Sequence, residues 1–222
     1  MSEEQWELLA SSLWPIVSGA IVGTIPLALA SFAIGLTLAL VLALMRLSRR
    51  AWVSGIARAY ISLVRGTPLL VQLFVVFYGL PSIGIVVDPW PAAITAFSIN
   101  VGGYAAEVIR AAILSVPKGQ WEAAYMIGMS RRLALRRIIL PQAARVSVPP
   151  LSNTFISLVK DTSLASLTLV TELFRRAQEI AAFSQEFMLV YMEAALVYWV
   201  ICLALSAGQT RIETRLDRYV AH

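Results

Sequence analysis

A run of thirty residues without a charged side chain, from Ile16 to Met45, most constrains what this chain can fold into. About 20 apolar residues in a helix cross the hydrocarbon core of a bilayer. The chain has 222 residues, of which 59% are hydrophobic and 14% are charged. Soluble domains are typically about half apolar and about one quarter charged. We therefore expect an all-α polytopic membrane helix bundle, formed as a single domain over residues 1–222.

Further apolar segments bring the expected number of transmembrane helices to about five. The predicted spans are 16–45, 58–80, 92–114, a segment that begins near 150, and 187–207. We expect the second span to bend at Pro68, because proline disrupts a helix interior. Residues 169–181 have the pattern of an amphipathic surface helix, with predicted ion pairs Glu172/Arg176 and Arg175/Glu179.

Basic residues are concentrated at the ends of the apolar runs, in segments 46–58, 118–145 and 211–218. With five spans, all three segments lie on one side of the membrane. The positive-inside rule places that side in the cytoplasm, with the N-terminus outside and the C-terminus cytoplasmic. Nucleic-acid binding is not expected, because it requires basic residues clustered on a soluble face.

The sequence lacks the residues of the common catalytic and metal sites. Cys202 is the only cysteine and His222 is the only histidine. These two residues cannot provide a disulfide, a cysteine metal cluster or a histidine-based catalytic site. The chain also has no phosphate-binding loop and no HExxH or GxSxG motif. We expect a non-catalytic transport subunit without a metal or cofactor, driven by an ion gradient or by another chain.

Several polar side chains lie within the predicted spans, and they are the candidate substrate-binding residues. They are Arg65, Asn100, Tyr104, Glu107, Lys160, Asp161 and Ser163. Ionisable groups in hydrocarbon face a cavity or pair with one another, so a substrate path and structural ion pairing are both open. We expect a helix break at Lys160-Asp161, with Asp161 capping the new half-helix. A carboxylate and a basic group in one cavity would suit a zwitterion.

Residues 118–141, KGQWEAAYMIGMSRRLALRRIILP, predict a basic helix–turn–helix arm between two spans. Gly128 is expected to end the first helix in the left-handed conformation. Ser130 is expected to cap the second helix, and Pro141 is expected to end it. Charge alone would also permit a basic helix lying on an anionic lipid surface.

The spacing within this arm resembles a known pattern. Glu122-Ala123-Ala124, three residues, Gly128, nine residues and then Ile138-x-Leu140-Pro141 is similar to the EAA loop of importer-type ABC transporter permeases. Segments in three other parts of the chain resemble the polar amino acid uptake family: Arg65–Pro68, Tyr104–Arg110 and Ser157–Leu164. Two further segments are most similar to its L-cystine permease branch: Leu140–Val146 and Pro149–Asn153.

This resemblance implies the fold of a type I ABC importer permease, with a cytoplasmic coupling loop at about 117–141. It implies that Glu122, Ala123, Ala124 and Gly128 dock onto an ATPase. The implied partners are two ATP-binding cassette subunits carrying ATP and Mg, a second permease subunit (a copy or a paralogue), and a periplasmic or lipid-anchored binding protein. The implied location is the bacterial inner membrane. The implied substrate is a polar amino acid, and the resemblance to the L-cystine permease branch implies L-cystine.

Two alternatives stay open at the level of the sequence. One is a secondary amino acid carrier driven by an ion gradient, with Glu107, Asp161 or Glu193 as the ion site. The other is a structural membrane subunit that has no transport pathway.

Overall fold

The computed structural model describes residues 2–217, and within that range it contains helices and no β-strand. Ten α-helices follow one another in the described range. They are α1 (Glu3–Gly19), α2 (Ile25–Arg46), α3 (Ala51–Gly66), α4 (Leu69–Phe74), α5 (Pro89–Ser115), α6 (Lys118–Met126), α7 (Arg131–Ala134), α8 (Leu140–Asp161), α9 (Leu173–Ser184) and α10 (Phe187–Asp217).

Three helical stretches of the described chain are long and apolar enough to cross a membrane: Glu3–Arg46, Pro89–Ser115 and Phe187–Leu216. A fourth is the bent pair Ala51–Gly66 and Leu69–Ile83, if its two halves form one span. The all-α membrane bundle is thus confirmed. The predicted segment near 150 lies in α8, which is not among these stretches because it also carries charged and amide side chains.

Three of the prolines in the described helices follow π-helical turns. The turns Ala20–Thr24, Val75–Gly79 and Leu135–Ile139 each end two residues before a proline, at Pro26, Pro81 and Pro141. In each turn the residue before the proline donates its N–H to the carbonyl five residues back, which widens the helix. The wider turn gives room to the proline ring, which otherwise collides with the carbonyl four residues back.

The prediction that Pro141 ends the second arm helix is therefore wrong. Helix α7, the π-helical turn and α8 follow one another without a gap, so that the basic arm continues into the bundle. Leu140 donates its backbone N–H to Leu135, and Pro141 then occupies the first turn of α8. The wider turn before it makes room for the ring, so the helix continues through Pro141.

The larger of two apolar cores lies between α2 and α5, with α3, α4 and α8 packed around them. Its largest fully buried side chains include Phe97, Leu27 and Leu73. At Gly35 the two central helices approach so closely that a Cβ atom would lie 2.6 Å from the Val101 side chain. Small residues at such crossings allow tight helix packing in membranes.

The second core joins α1, α9 and α10 through Ile16, Leu173, Ala177 and Val190. The predicted amphipathic helix is thus α9, which begins at Leu173 and is not a candidate span. The predicted Arg175–Glu179 pair forms at 3.1 Å. The predicted Glu172–Arg176 pair is wrong, because Glu172 is buried and caps the first turn of α9.

Candidate substrate cavity and coupling arm

A sharp helix break forms one wall of the candidate site. Helix α3 ends at Gly66, α4 begins at Leu69, and the two axes differ in direction by 106°. Thr67 and Pro68 between them have extended backbones. A proline disfavours the helical conformation at the residue before it, so the sequence Thr67-Pro68 accounts for the break. The predicted bend at Pro68 is confirmed.

A cavity of about 440 Å³ lies beside this break. It is lined by Thr67, Pro68, Leu69, Asn100, Val101, Tyr104, Asn153, Thr154, Ser157, Leu158 and Asp161. A larger hollow of about 760 Å³ between α1 and α10 is lined almost wholly by apolar side chains. Ligand sites combine apolar walls with a few convergent polar groups. The smaller cavity has that composition, so it is the candidate substrate site.

Three of the predicted substrate residues line this cavity: Asn100, Tyr104 and Asp161. A fourth, Arg65, lies at its edge, with its guanidinium carbon 5.6 Å from the centre of the Tyr104 ring. A guanidinium at this distance from an aromatic ring is held by cation–π attraction. The cavity and its edge therefore carry one carboxylate and one guanidinium, which are the complementary charges for a zwitterion.

The chain around Lys160 and Asp161 breaks as predicted, but by a different local geometry. Helix α8 ends at Asp161, and a 3₁₀ helix follows over Thr162–Thr168. The predicted cap is wrong, because the Asp161 side chain accepts no backbone hydrogen bond at the start of that helix. Asp161 lines the cavity instead, whereas Lys160 is exposed and not part of the lining. Ser163 Oγ donates to the Lys160 carbonyl at 2.7 Å.

Glu107 lies outside the cavity lining and is engaged in ion pairs. Its carboxylate is 2.7 Å from the Arg110 guanidinium and 3.4 Å from that of Arg46. The three side chains are only 18% to 28% exposed. Partly buried charges require such partners because water no longer solvates them fully. The arrangement at Glu107 therefore fits the alternative of structural pairing between α2 and α5.

A polar stripe on α8 was not among the predicted site residues. Asn153, Ser157 and Asp161 are spaced four residues apart and all line the cavity. Residues at this spacing share one face of a helix. That spacing was the available signal, and it would have extended the candidate set by two residues.

Gln72 was also missed, although it does not line the cavity itself. Its Nε2 donates to the Val64 carbonyl at 2.7 Å and to the Thr67 hydroxyl at 2.9 Å. Its Oε1 accepts from Nδ2 of Asn100 at 3.1 Å. The side chain thus connects both sides of the helix break with a residue of the cavity wall.

The basic helix–turn–helix arm of residues 118–141 has the predicted turn. Gly128 has φ 77°, and its N–H donates to Tyr125 while that of Met129 donates to Ala124. These two bonds define a Schellman motif, the common way to end a helix at a left-handed residue. Ser130 Oγ then accepts from the N–H of Leu133 at 3.4 Å and begins the second helix, as predicted.

The arm exposes apolar side chains at its turn. Met126 is 87% exposed and Ile127 is 72% exposed, while Ala124 is fully buried against the rest of the arm. Glu122 and Ala123 are exposed on the same short helix. Large exposed apolar side chains beside charged ones are typical of a surface that another protein covers.

The carboxylate of Glu172, which was predicted to form an ion pair on a surface helix, is buried and lies outside the cavity lining. Glu172 accepts hydrogen bonds from the N–H groups of Phe174 and Arg175 and from the hydroxyls of Tyr198 and Thr24. Burial raises the pKa of the Glu172 carboxyl above its usual range, and these hydrogen bonds oppose the rise. The residue thus connects the start of α9 with α10 and with the π-helical turn that follows α1.

Residues 33–218 match the family described as the binding-protein-dependent transport system inner membrane component. The chain belongs to this family. It is the permease subunit of an ABC importer, and the alternative of a gradient-driven secondary carrier is set aside. No group of three or more metal-binding side chains lies within the part of this permease that the structure describes.

Individual relatives cover nearly all of this permease. It is 58% identical over 217 residues to the L-cystine transport system permease protein TcyB of Bacillus subtilis (strain 168), covering 97% of this chain and 93% of that one. It is 36% identical to the glutamine transport system permease protein GlnP of Escherichia coli (strain K12), covering 93% and 96% of the two chains.

Solved structures give the same result for the fold. The crystal structure of an amino acid ABC transporter with histidines matches with a TM-score of 0.89 and 33% identity, over 97% of this chain and all of that one. A chain of the MetNI methionine ABC transporter in an inward-facing conformation matches with a TM-score of 0.72 at 20% identity, over 97% of this chain and 99% of that one. The second match supports the fold alone.

Proposed function

We propose that this permease imports L-cystine across the bacterial inner membrane, powered by ATP hydrolysis on partner subunits. The proposed substrate rests on the 58% identity to an L-cystine permease over 97% of the chain. The cavity beside the helix break supports a polar amino acid, because Asp161 lines it and Arg65 lies at its edge. L-cystine has two ammonium groups, which are complementary to Asp161, and two carboxylate groups, which are complementary to Arg65.

The arm of residues 118–141 docks onto an ATP-binding cassette subunit through the exposed Glu122 and Ala123 and the Gly128 turn, whereas the buried Ala124 supports this surface from inside the arm. The exposed Met126 and Ile127 at this turn are the apolar contacts that a partner would cover. The complete importer contains two such ATPases with ATP and Mg, a second permease that is a copy or a paralogue, and a binding protein outside. The N-terminus lies outside, because the exposed arginines of the arm belong in the cytoplasm.

Co-purification of the chain with its ATPase and binding protein tests this function. Proteoliposomes of the complex should take up L-cystine only with ATP, and ATP hydrolysis should rise when binding protein and L-cystine are both present. A screen of other amino acids in the hydrolysis assay identifies the substrate independently. Uptake that survives without ATP but collapses with the ion gradient would contradict ATP-driven import. If another amino acid stimulated ATP hydrolysis more strongly, that amino acid would replace L-cystine as the proposed substrate. The proposal of an ATP-driven amino acid importer would still stand.

A further inference from the structure

Gln72 stands in the middle of a hydrogen-bond chain that runs from the helix break to the cavity wall. On one side its Nε2 contacts the carbonyls of Val64, at 2.7 Å, and Thr67, at 3.1 Å. On the other side its Oε1 accepts from Asn100 at 3.1 Å. Each contact has an identifiable physical cause, and together they determine which atom Asn100 turns toward the cavity.

The Val64 carbonyl lacks its helical donor because of Pro68. In an α-helix this carbonyl would accept from the N–H four residues later, but residue 68 is a proline and has no N–H. Val64 is only 4% exposed, so water does not readily replace the missing donor. A buried carbonyl without a partner is costly. The amide of Gln72, four residues beyond Pro68, supplies the donor.

The direction of every bond in the chain follows from that carbonyl. A backbone carbonyl only accepts, so Gln72 must turn its NH₂ group toward Val64 and Thr67. Its Oε1 then faces the opposite way, and Asn100 must donate to it through Nδ2. Asn100 is left with Oδ1 as its other polar atom. Among the residues that the structure describes, Oδ1 of Asn100 accepts no hydrogen bond, and Asn100 lines the cavity.

We propose that Gln72 is a positioning residue that replaces the hydrogen bond lost at Pro68 and thereby holds Asn100 with its Oδ1 toward the cavity, as an acceptor for the ammonium group of the substrate. This inference rests on the proposed function, because it assumes that the cavity receives an amino acid. Asp161 provides a second acceptor in the same lining. A primary ammonium has three N–H donors and can use both acceptors.

The test compares binding of radiolabelled L-cystine to the detergent-solubilised permease–ATPase complex in the absence of binding protein. Gln72→Met keeps the size of the side chain and removes its hydrogen bonds. Asn100→Ala removes the proposed acceptor but leaves the bond between Gln72 and Val64. Each should weaken binding about tenfold, since hydrogen bonds to charged groups are strong. Gln178→Met, the same change on α9 away from the cavity lining, should bind like the wild type.

Two further readouts separate positioning from a general structural role. If Gln72 acts through Asn100, the double variant should bind no more weakly than Asn100→Ala alone. The preference for L-cystine over N,N′-diacetyl-L-cystine, which lacks ammonium groups, should shrink in Gln72→Met. If Gln72→Met is unstable, loss of the preference in Asn100→Ala tests the same acceptor.

Several results would overturn the inference. The first is that Gln72→Met or Asn100→Ala binds L-cystine with the affinity and the preference of the wild type. The second is that the losses of affinity in the double variant are additive. The third is that a wild-type complex which transports L-cystine with ATP shows no binding of it. Failure of the wild-type complex to transport L-cystine at all would instead overturn the proposed function. Transport and binding measured on the same preparations distinguish the two failures.

Discussion

Gly128, at the end of the first arm helix, offers a direct test of the coupling arm through the substitution Gly128→Val. The residue has φ 77°, a left-handed conformation that L-amino acids disfavour by about 1–2 kcal/mol. A Cβ atom added there would meet nothing within 4 Å. Steric collision within this chain therefore adds nothing, and the effect on the arm itself comes from backbone strain.

This strain can be converted into an expected loss of ATPase binding. About 1–2 kcal/mol changes an equilibrium by roughly 5–30-fold. If only the left-handed turn fits the ATPase, the apparent dissociation constant rises by the same factor, because the competent arm is less populated. The assay titrates fluorescently labelled ATPase subunit against the solubilised permease. Intact membrane insertion and elution volume show that the spans still fold.

Matched variants test whether conformation is the cause. Gly128→Asn should bind much more like the wild type, because asparagine adopts the left-handed conformation more readily. Gly119→Val changes another arm glycine that has no positive φ and no neighbour within 4 Å, so it should have little effect. Undiminished ATPase binding by Gly128→Val would refute the reasoning. Equal losses in Gly128→Asn and Gly128→Val would also refute it.

Three other substitutions test the packing, the buried carboxylate and the cavity. Gly35→Leu should destabilise the bundle by about 1–3 kcal/mol, because its Cβ would lie 2.6 Å from Val101. The control is Gly55→Leu, because a side chain at Gly55 meets open space. Equal unfolding temperatures of the two variants would contradict the prediction. Glu172→Ala should lower the free energy of unfolding by about 1–3 kcal/mol, because buried donors lose their acceptor. A melting curve identical to that of the wild type would speak against that role. Asp161→Asn should reduce L-cystine uptake and substrate-stimulated ATP hydrolysis, and unchanged values would remove Asp161 from the site.

The sequence was sufficient for the features that depend on composition and local spacing. The charge-free run at 16–45 predicted a membrane helix, and Gly128 followed by Ser130 predicted the arm turn and the next cap. Such features depend on a few neighbouring residues, whose backbone preferences are the same in any fold. The bend at Pro68 belongs to the same class.

Features that depend on contacts between distant segments were beyond local patterns. Glu172 looked like half of a surface ion pair with Arg176, yet its hydrogen-bond partners include Thr24 and Tyr198 on two other helices. Glu107 looked like a candidate for the substrate path, yet Arg46 and Arg110 occupy its carboxylate. In both cases the charge pattern indicated that a partner was needed but could not say which helix would provide it.

The prolines show why a local rule alone gave both a correct and a wrong prediction. Pro68 breaks its helix, whereas Pro141 continues one, although each removes the same N–H donor. At Pro141 the preceding π-helical turn shifts the hydrogen bonds to the fifth carbonyl back, so the helix absorbs the ring. At Pro68 the chain turns by 106°, and the side chain of Gln72 donates to the carbonyl that the proline leaves unpaired. The two outcomes differ in where the replacement donor comes from. A replacement within the backbone keeps the helix continuous. A replacement from a side chain leaves two helix ends and connects them to Asn100, and this is the arrangement found at the cavity.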